Sequence, residues 1–147
     1  MPRDAFVSYA ARDRRHALEL CAGLRALGVA LWLDVDEPLR RRSWREAVHQ
    51  GIDDSRTVLI ALGPNWSESP ACRYELAIAV ERHKPLVAMA LQRIVPAEAL
   101  PRGAELIDGG SPERTIRLVG TRLMNHVDRA RGGHCGSSAS GQSTKSA

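Results

Sequence analysis

Glu75 is the first side chain that we consider as a carrier of chemistry. It ends a series of Ser69, Cys72 and Glu75 at three-residue spacing, in a segment whose Ser-Pro start is typical of a helix N-terminus. A carboxylate at the edge of a cleft stabilises positive charge that develops in a substrate. A carboxylate on a solvated helix face pairs instead with a neighbour such as Arg73 or Arg82. Position alone favours the solvated interpretation.

The cysteines and histidines show no pattern of a metal site. Cys21, Cys72 and Cys135 form an odd set without paired spacing, and the five histidines have no ligand spacing. We therefore expect no metal and no disulfide framework, and a reducing, cytoplasmic location. No histidine is placed in sequence to activate Cys72, so we interpret this residue as a small buried hydrophobic one.

Apolar and amphipathic segments alternate along the chain, which is typical of a parallel sheet covered by helices. Five strands are predicted, at residues 5–10, 30–33, 57–62, 86–90 and 105–107. The run 57–62 is apolar throughout, which predicts a central strand buried on both faces. The fold class is therefore α/β: a flavodoxin-like, doubly wound, five-stranded parallel sheet with helices on both faces.

Four helices are predicted, and a short polar residue is expected to cap each one: Asp13, Ser43, Ser69 and Ser111. The first helix should end at Gly28. Two apolar stripes are predicted to face the core, in the first helix Ala17, Leu20, Cys21, Leu24 and Leu27, and in the third Cys72, Leu76, Ala79 and Val80. Because ligands of such sheets bind at the carboxyl ends of the strands, the loops 11–15, 34–43 and 63–69 should line any site.

The composition fits one domain. The 147 residues are 44% hydrophobic, which is enough for a single core. We predict this domain at 1–131 and a disordered Gly/Ser-rich tail at 132–147, because small polar residues bury little apolar surface. The net charge of +4 permits an anionic ligand, but no nucleic-acid-binding motif is present, so nucleic acid is not an expected partner. No run approaches the ~20 apolar residues of a membrane helix, so no membrane partner is expected.

Six segments form a series of short motifs along the chain: Asp4 to Ala10, Leu31 to Asp34, Ser43-Trp44, Ser55-Arg56, Gly63 to Trp66 and Ser69 to Leu76. Taken in this order, they resemble the conserved boxes of TIR domains, the Toll/interleukin-receptor family, in a bacterial type. The resemblance covers about residues 4–127. The sequence departs from the family pattern at Gly63, where Ser is usual, and at Arg40 to Arg42, where the second loop of the family normally carries Gly.

The resemblance implies an activity. Many family members hydrolyse the bond between nicotinamide and ribose in NAD⁺, and their essential carboxylate aligns with Glu75. Breaking this bond develops positive charge on the ribose, which a nearby carboxylate stabilises. Nicotinamide leaves as a neutral base, so no strong general acid is needed. We therefore expect an NAD⁺ glycohydrolase that releases nicotinamide and ADP-ribose or a cyclic variant, with NAD⁺ as substrate and no separate cofactor.

Five residues are predicted to bind this substrate, each with an alternative role: Tyr9, Arg12, Arg14, Asp34 and Trp44. Arg12 and Arg14, favoured over Arg15, either meet the pyrophosphate with paired donors or belong to a solvated helix start. Trp44 either stacks on a nicotinamide or adenine ring, as an aromatic residue of this region does in the family, or anchors the second helix in the core. Tyr9 borders the pocket or packs on its strand. Asp34 steers the second loop or a ribose, or caps the loop.

Three functions remain open. In the first, the domain is an enzyme of bacterial defence or signalling; the resemblance implies that it works on self-assembly, because in such family members a neighbour's second loop completes the site. In the second, it is a non-catalytic module that recruits other TIR domains through that loop. Glu75 and Trp44 favour the enzyme, whereas the Arg40 to Arg42 run in the second loop favours the module. The third is another nucleotide-sugar hydrolase or transferase, because fold alone does not fix function.

Overall fold

The computed structural model of the chain describes residues 2–36, 43–92 and 100–136, with side chains up to residue 125. Five strands form one parallel sheet in the order β2-β1-β3-β4-β5. They are β1 (Arg3–Ser8), β2 (Leu31–Trp32), β3 (Ser55–Leu62), β4 (Leu86–Ala90) and β5 (Ala104–Ile107). The predicted doubly wound, flavodoxin-like fold is confirmed, and β3 is the central strand.

A described helix follows each of the strands β1, β2, β3 and β5. These helices are α1 (Arg14–Ala26), α2 (Trp44–Asp53), α3 (Pro70–Glu81) and α4 (Pro112–Gly136). Short 3₁₀ turns follow the first three strands, at Ala11–Asp13, Asp34–Asp36 and Trp66–Glu68. Since α4 reaches Gly136, helical backbone continues into the segment predicted as a tail. The rest of that tail, 137–147, lies outside the described residues, as do Arg40 to Arg42 of the second loop.

Two apolar clusters cover the two faces of the sheet. One packs α1 and α4 against a face that includes Leu59 and Ala61 of β3. The other packs α2 and α3 against the opposite face, with Val58, Ile60 and Leu62. Each fully buried Leu or Ile side chain contributes roughly 1.5–3 kcal/mol through removal of apolar surface from water. The alternating sides of β3 therefore hold the two helical layers together, as its apolar run predicts.

Capping side chains set three of the four helix starts as predicted. At α2, Ser43 forms a capping box with Glu46. At α3, Ser69 accepts a hydrogen bond from the backbone N–H of Cys72. At α4, Ser111 accepts a hydrogen bond from the backbone N–H of Arg114. Asp13 stands at the N-cap of α1 but makes no capping hydrogen bond. The prediction for Asp13 was wrong, because its carboxylate bonds Asn65 in another loop instead.

Three details of the predicted elements were also wrong. β1 runs from Arg3 to Ser8, two residues earlier than expected, because its pairing with β3 begins at Arg3 and Ser55. Leu27 at the end of α1 is 46% exposed. Val80 of α3 is 55% exposed, and the buried positions of that helix are instead Cys72, Glu75, Ile78 and Ala79. A glutamate thus occupies a core-facing position of α3.

The hydroxyl of Thr57 is buried in β3 and has no hydrogen-bond partner among the described residues. The substitution Thr57→Val keeps the side-chain shape and removes this unsatisfied group. We predict that it raises the free energy of unfolding in urea by about 1 kcal/mol.

The matched control is Thr115→Val at the start of α4. Thr115 is equally buried, but its Oγ1 accepts a hydrogen bond of 2.9 Å from the backbone N–H of Gly109. Loss of this hydrogen bond in Thr115→Val should lower the free energy of unfolding by about 1–2 kcal/mol. Equal destabilisation by both substitutions would contradict the account of Thr57.

Candidate active site

The carboxyl edge of the sheet carries a cleft between the loops that follow β1 and β3. This first-loop cleft has a volume of about 360 Å³ and is lined by Ala10, Ala11, Arg12, Asn65, Glu68, Ser69 and Pro70. The chain leaves β1 toward α1 on one face and β3 toward α3 on the other. The cleft therefore lies at the point where the winding reverses, which is where such folds bind ligands.

A second, more open cleft lies on the other side of the α3 N-terminus. This aromatic cleft has a volume of about 390 Å³ and is lined by Trp44, Arg45, Pro70, Ala71 and Tyr74. Pro70 lines both clefts, so the two adjoin at the first turn of α3. Each volume falls in the range of small-molecule sites, and together they offer an elongated surface.

Glu75 lies inside the fold, beneath these loops. It is 8% exposed, and its Oε1 accepts a hydrogen bond of 2.7 Å from the hydroxyl of Ser8 at the end of β1. The Ser8 oxygen in turn accepts a hydrogen bond of 3.1 Å from Nε1 of Trp66. The expected pairing of a solvated Glu75 with Arg73 or Arg82 is not what the structure shows, since Arg82 bonds Asp53 and Glu81.

Burial raises the pKa of Glu75 from its ordinary value of 4.5 to about 8. This value already includes the hydrogen bond from Ser8, which lowers the pKa, and the negative charge of Asp34, which raises it by a smaller amount. The side chain is therefore mostly neutral at pH 7 in the free protein. A positive charge brought close to it favours ionisation.

One oxygen of Glu75 is left for other contacts. Oε2 has no hydrogen-bond partner among the described residues. The residues that line the two clefts do not include Glu75, although Ser69 and Pro70 of its own helix start do. The carboxyl group thus lies behind the α3 N-terminus and not in the open part of either cleft.

Tyr9 and Asp34 contact each other. The Tyr9 hydroxyl donates a hydrogen bond of 2.7 Å to Oδ1 of Asp34, which joins the end of β1 to the turn after β2. Partial burial and then this bond to Asp34 raise the pKa of Tyr9. In the free protein the pair therefore fixes the start of the second loop, which is one of the roles expected for Asp34.

Arg12 and Arg14 are both exposed at the start of the first helix, and neither has an ion-pair partner among the described residues. Arg12 lines the first-loop cleft. Arg14 is not among the lining residues, but its charge lowers the pKa of Tyr9, which places it on the Tyr9 side. The structure thus brings Arg12, and not Arg14, to the wall of a cleft.

Trp44 lies between the core and the aromatic cleft. It is partly buried against the apolar cluster under α2 and α3, and its ring centroid is 5.5 Å from that of Tyr74. The guanidinium of Arg45 lies 5.2 Å from the centre of the Tyr74 ring, within cation–π range. Trp44 therefore anchors α2, as one interpretation expected, and also lines an open surface.

Asp13 forms a contact between loops that the sequence did not predict. Its Oδ1 accepts a hydrogen bond of 2.7 Å from Nδ2 of Asn65, and its Oδ2 accepts one of 3.2 Å from the Asn65 backbone N–H. A Cβ on Gly63 would lie 2.7 Å from the Asp13 carboxyl carbon. The glycine at 63, where serine is usual in the resembling family, was the signal that could have revealed this close approach.

Ser8 and Trp66 are further site residues that sequence reasoning missed. Ser8 follows Phe6 at a spacing of two in β1, so both point to the face that α3 covers. That alternation was the available signal. Trp66 is buried under its loop, as expected. Cys72 is also buried, and burial raises the pKa of its thiol to about 11, so it is a neutral thiol and not a ready nucleophile.

The described residues contain no group of three or more His, Cys, Asp or Glu side chains that could hold a metal ion. No helix in the same part of the chain is long and apolar enough to cross a membrane.

The fold and the buried carboxyl at its switch point define a flavodoxin-like α/β domain with a candidate site at the carboxyl edge. The chain matches the family model of the TIR domain over residues 5–119, and it belongs to that family. A search of curated proteins finds no match.

Solved structures share this fold. One is the TIR domain of the Toll-related receptor TRR-2 from Hydra magnipapillata, with a TM-score of 0.64 and 16% identity over 86% of this chain and 98% of that one. Another is a metazoan TIR-STING receptor from C. gigas in complex with 2′,3′-cGAMP, with a TM-score of 0.66 and 19% identity over 82% of this chain. A second structure of a metazoan TIR-STING receptor from C. gigas has a TM-score of 0.59 and 20% identity over 85% of this chain. The chain spans only 39% and 40% of those two receptor chains.

The raised pKa of Glu75 has a consequence for stability. A carboxyl group whose pKa is higher in the folded state than in the unfolded one stabilises the fold at low pH, and that stability is lost as the pH rises from about 4.5 through about 8. We predict that Glu75→Gln becomes more stable relative to the wild type across this window, by on the order of 4 kcal/mol. Urea denaturation at pH 4.5, 6, 7.5 and 9 measures it.

The control for this series is Glu81→Gln, at the exposed end of the same helix. Its stability difference from the wild type should stay within about 0.5 kcal/mol at every pH. If the difference in free energy of unfolding between wild type and Glu75→Gln does not grow with pH, Glu75 ionises as an ordinary surface glutamate.

The contact between Gly63 and Asp13 predicts strong coupling between these positions. Gly63→Ala should lower the free energy of unfolding by about 2 kcal/mol, because the new methyl group displaces the Asp13 carboxylate from Asn65. In an Asp13→Ala background the same substitution should cost less than about 0.5 kcal/mol. A double-mutant cycle measures the coupling, and additive effects would contradict it.

Proposed function

We propose that this TIR domain is an NAD⁺ glycohydrolase in which Glu75 is the catalytic carboxylate. The observation that carries the proposal is the placement of Glu75, which is buried at the carboxyl edge of the sheet and held by Ser8 with one oxygen unpartnered among the described residues. A glutamate in a core position of α3 costs stability once it ionises. A fold that keeps such a group commonly uses it in a functional site.

The chemistry follows from the charge of the substrate. The nicotinamide ring of NAD⁺ is cationic, so its approach favours the ionised form of Glu75. The bond between the ring nitrogen and C1′ of the ribose then breaks, and its electron pair stays on nicotinamide, which leaves neutral. The carboxylate stabilises the positive charge on the ribose, and a water oxygen bonds C1′ and loses one proton. The products are nicotinamide and ADP-ribose, or a cyclic variant where a group of the substrate replaces water.

The two clefts supply binding surface for the rest of the dinucleotide. Arg12 at the wall of the first-loop cleft offers paired donors to the pyrophosphate. The N-terminus of α3 adjoins both clefts and adds a favourable field for the same anion. Trp44 and Tyr74 in the aromatic cleft offer faces on which a ring stacks. Tyr9 and Asp34 hold the turn after β2 through their hydrogen bond of 2.7 Å, and Arg14 lies exposed on the side of Tyr9, where its charge favours an anionic substrate.

A second candidate is a non-catalytic module of signal transduction that binds other TIR domains. The observation in its favour is that Glu75 does not line either described cleft. Two of the similar structures are TIR-STING receptors and one is a receptor TIR domain. In this proposal the domain works in the cytoplasm by self-association, and the two functions combine where assembly completes the site.

The test is release of nicotinamide from NAD⁺ by the purified chain, followed by chromatography over a range of protein concentrations. We predict turnover that Glu75→Gln lowers by at least about 100-fold. The control Glu81→Gln, which makes the same chemical change on the same helix, should retain wild-type turnover. Activity per molecule that rises with concentration indicates that assembly completes the site.

Two results would count against the enzyme. Equal turnover in wild type and Glu75→Gln would remove Glu75 from the reaction. No release by the wild type at any concentration, in a chain that folds, would contradict the NAD⁺ glycohydrolase and favour the binding module.

A further inference from the structure

A chain of three buried side chains links the loop after β3 to the carboxyl group in α3. Nε1 of Trp66 donates to the Ser8 hydroxyl oxygen at 3.1 Å, and Ser8 donates to Oε1 of Glu75 at 2.7 Å. All three side chains are less than a tenth exposed. They come from three separate elements, so the tertiary fold and not local sequence brings them together.

The direction of the two hydrogen bonds follows from the chemistry of their donors. An indole N–H donates and does not accept, so the Ser8 oxygen must be the acceptor in its bond with Trp66. The Ser8 proton is then free to point to Glu75. The indole N–H occupies one of the two acceptor positions of the Ser8 oxygen, so the Ser8 proton cannot point toward Trp66. This favours the arrangement in which Ser8 donates to the carboxyl group, whereas without Trp66 the hydroxyl gains orientations in which it does not donate to Glu75.

The other titratable groups near Glu75 act against its ionisation or are neutral. The carboxylate of Asp34, after β2, repels a negative charge on Glu75, and Cys72, one turn earlier in α3, is a neutral thiol. Asp13, after β1, acts on Cys72 and is held by Asn65. Among the described residues, Ser8 is thus the group bonded to Glu75 that favours its charged form.

We propose that Trp66 and Ser8 are positioning residues that make the charged form of Glu75 attainable at neutral pH. Trp66 acts only through Ser8, because its hydrogen bond goes to the Ser8 oxygen and not to the carboxyl group. The inference rests on the proposed function for its role in turnover, but the effect on the charge of Glu75 exists in the free protein. It assigns a role to Trp66 beyond packing under its loop.

The test is a titration of the Glu75 side-chain carboxyl by carbon-13 NMR without NAD⁺, in wild type and variants. Trp66→Phe keeps an aromatic ring and removes the N–H. It should raise the pKa of Glu75 by about half to one unit, and Ser8→Ala should raise it by about one unit or more. Trp66→Phe should add nothing in the Ser8→Ala background. The matched control is Trp32→Phe, because Trp32 is a buried indole that stacks on Phe6, and it should leave the pKa unchanged.

A second readout is the pH profile of nicotinamide release. In Trp66→Phe the turnover should fall about three- to tenfold at pH 7 and recover toward the wild-type value at high pH, since one pKa unit changes the ionised fraction about tenfold. If Trp66 only packed under its loop, Trp66→Phe would lower the turnover by the same factor at every pH. The profile thus separates positioning from packing.

The outcomes decide the inference and the function separately. An unchanged pKa of Glu75 in Trp66→Phe, or an equal shift in Trp32→Phe, overturns the inference even if NAD⁺ is cleaved. A raised pKa that vanishes in the Ser8→Ala background supports it even if NAD⁺ is not cleaved, and in that case the proposed function fails alone.

Discussion

The burial of one carboxyl group against one hydroxyl is the interaction on which the candidate site depends. Glu75 occupies a position of α3 that an apolar residue would fill at lower cost, and Ser8 supplies one hydrogen bond to it. The neutral carboxyl is tolerated there, but the carboxylate is not well solvated. The site is therefore set between two charge states, and small electrostatic changes nearby decide which one is populated.

The rest of the fold can be understood as the frame that holds this pair in place. β1 and β3 lie side by side at the centre of the sheet, which brings Ser8 to the loop that carries Trp66. Ser69 and Pro70 start α3 at a fixed residue, which places Glu75 one and a half turns further along and facing inward. Asp13 and Asn65 join the loops after β1 and β3 on the side of the first-loop cleft. Together these contacts join β1, α3 and the loops after β1 and β3 around the carboxyl group.

Sequence patterns predicted the fold well where the signal is local. β4 was predicted at its observed bounds, because Pro85 disfavours helix just before it and an apolar run follows. The caps of α2 and α3 were also predicted, since they depend on a few neighbouring residues. Apolar periodicity failed in α3 because it assigns polar residues to the outside, and the polar residue there, Glu75, lies inside while Val80 is exposed.

The contacts of the site were less predictable because they are far apart in sequence. Ser8 and Glu75 are separated by 67 positions, and Asp13 and Asn65 by 52. Such pairs depend on strand order and register, which no single segment encodes. The resemblance to the TIR family drew attention to Glu75 but not to Ser8 or Trp66. The structure adds these two residues, and it places Arg12 at a cleft wall while Arg14 stays outside.

The most direct test of the account is the proton balance of substrate binding. Calorimetry with an uncleavable, cationic carbocyclic analogue of NAD⁺, in buffers of different ionisation enthalpy at pH 7, measures the protons released on binding. A neutral buried Glu75 that ionises beside the cationic ring predicts release of a large fraction of one proton, which Glu75→Gln abolishes. Binding without proton release, or equal release by the variant, would contradict the claim that this carboxyl group meets the substrate.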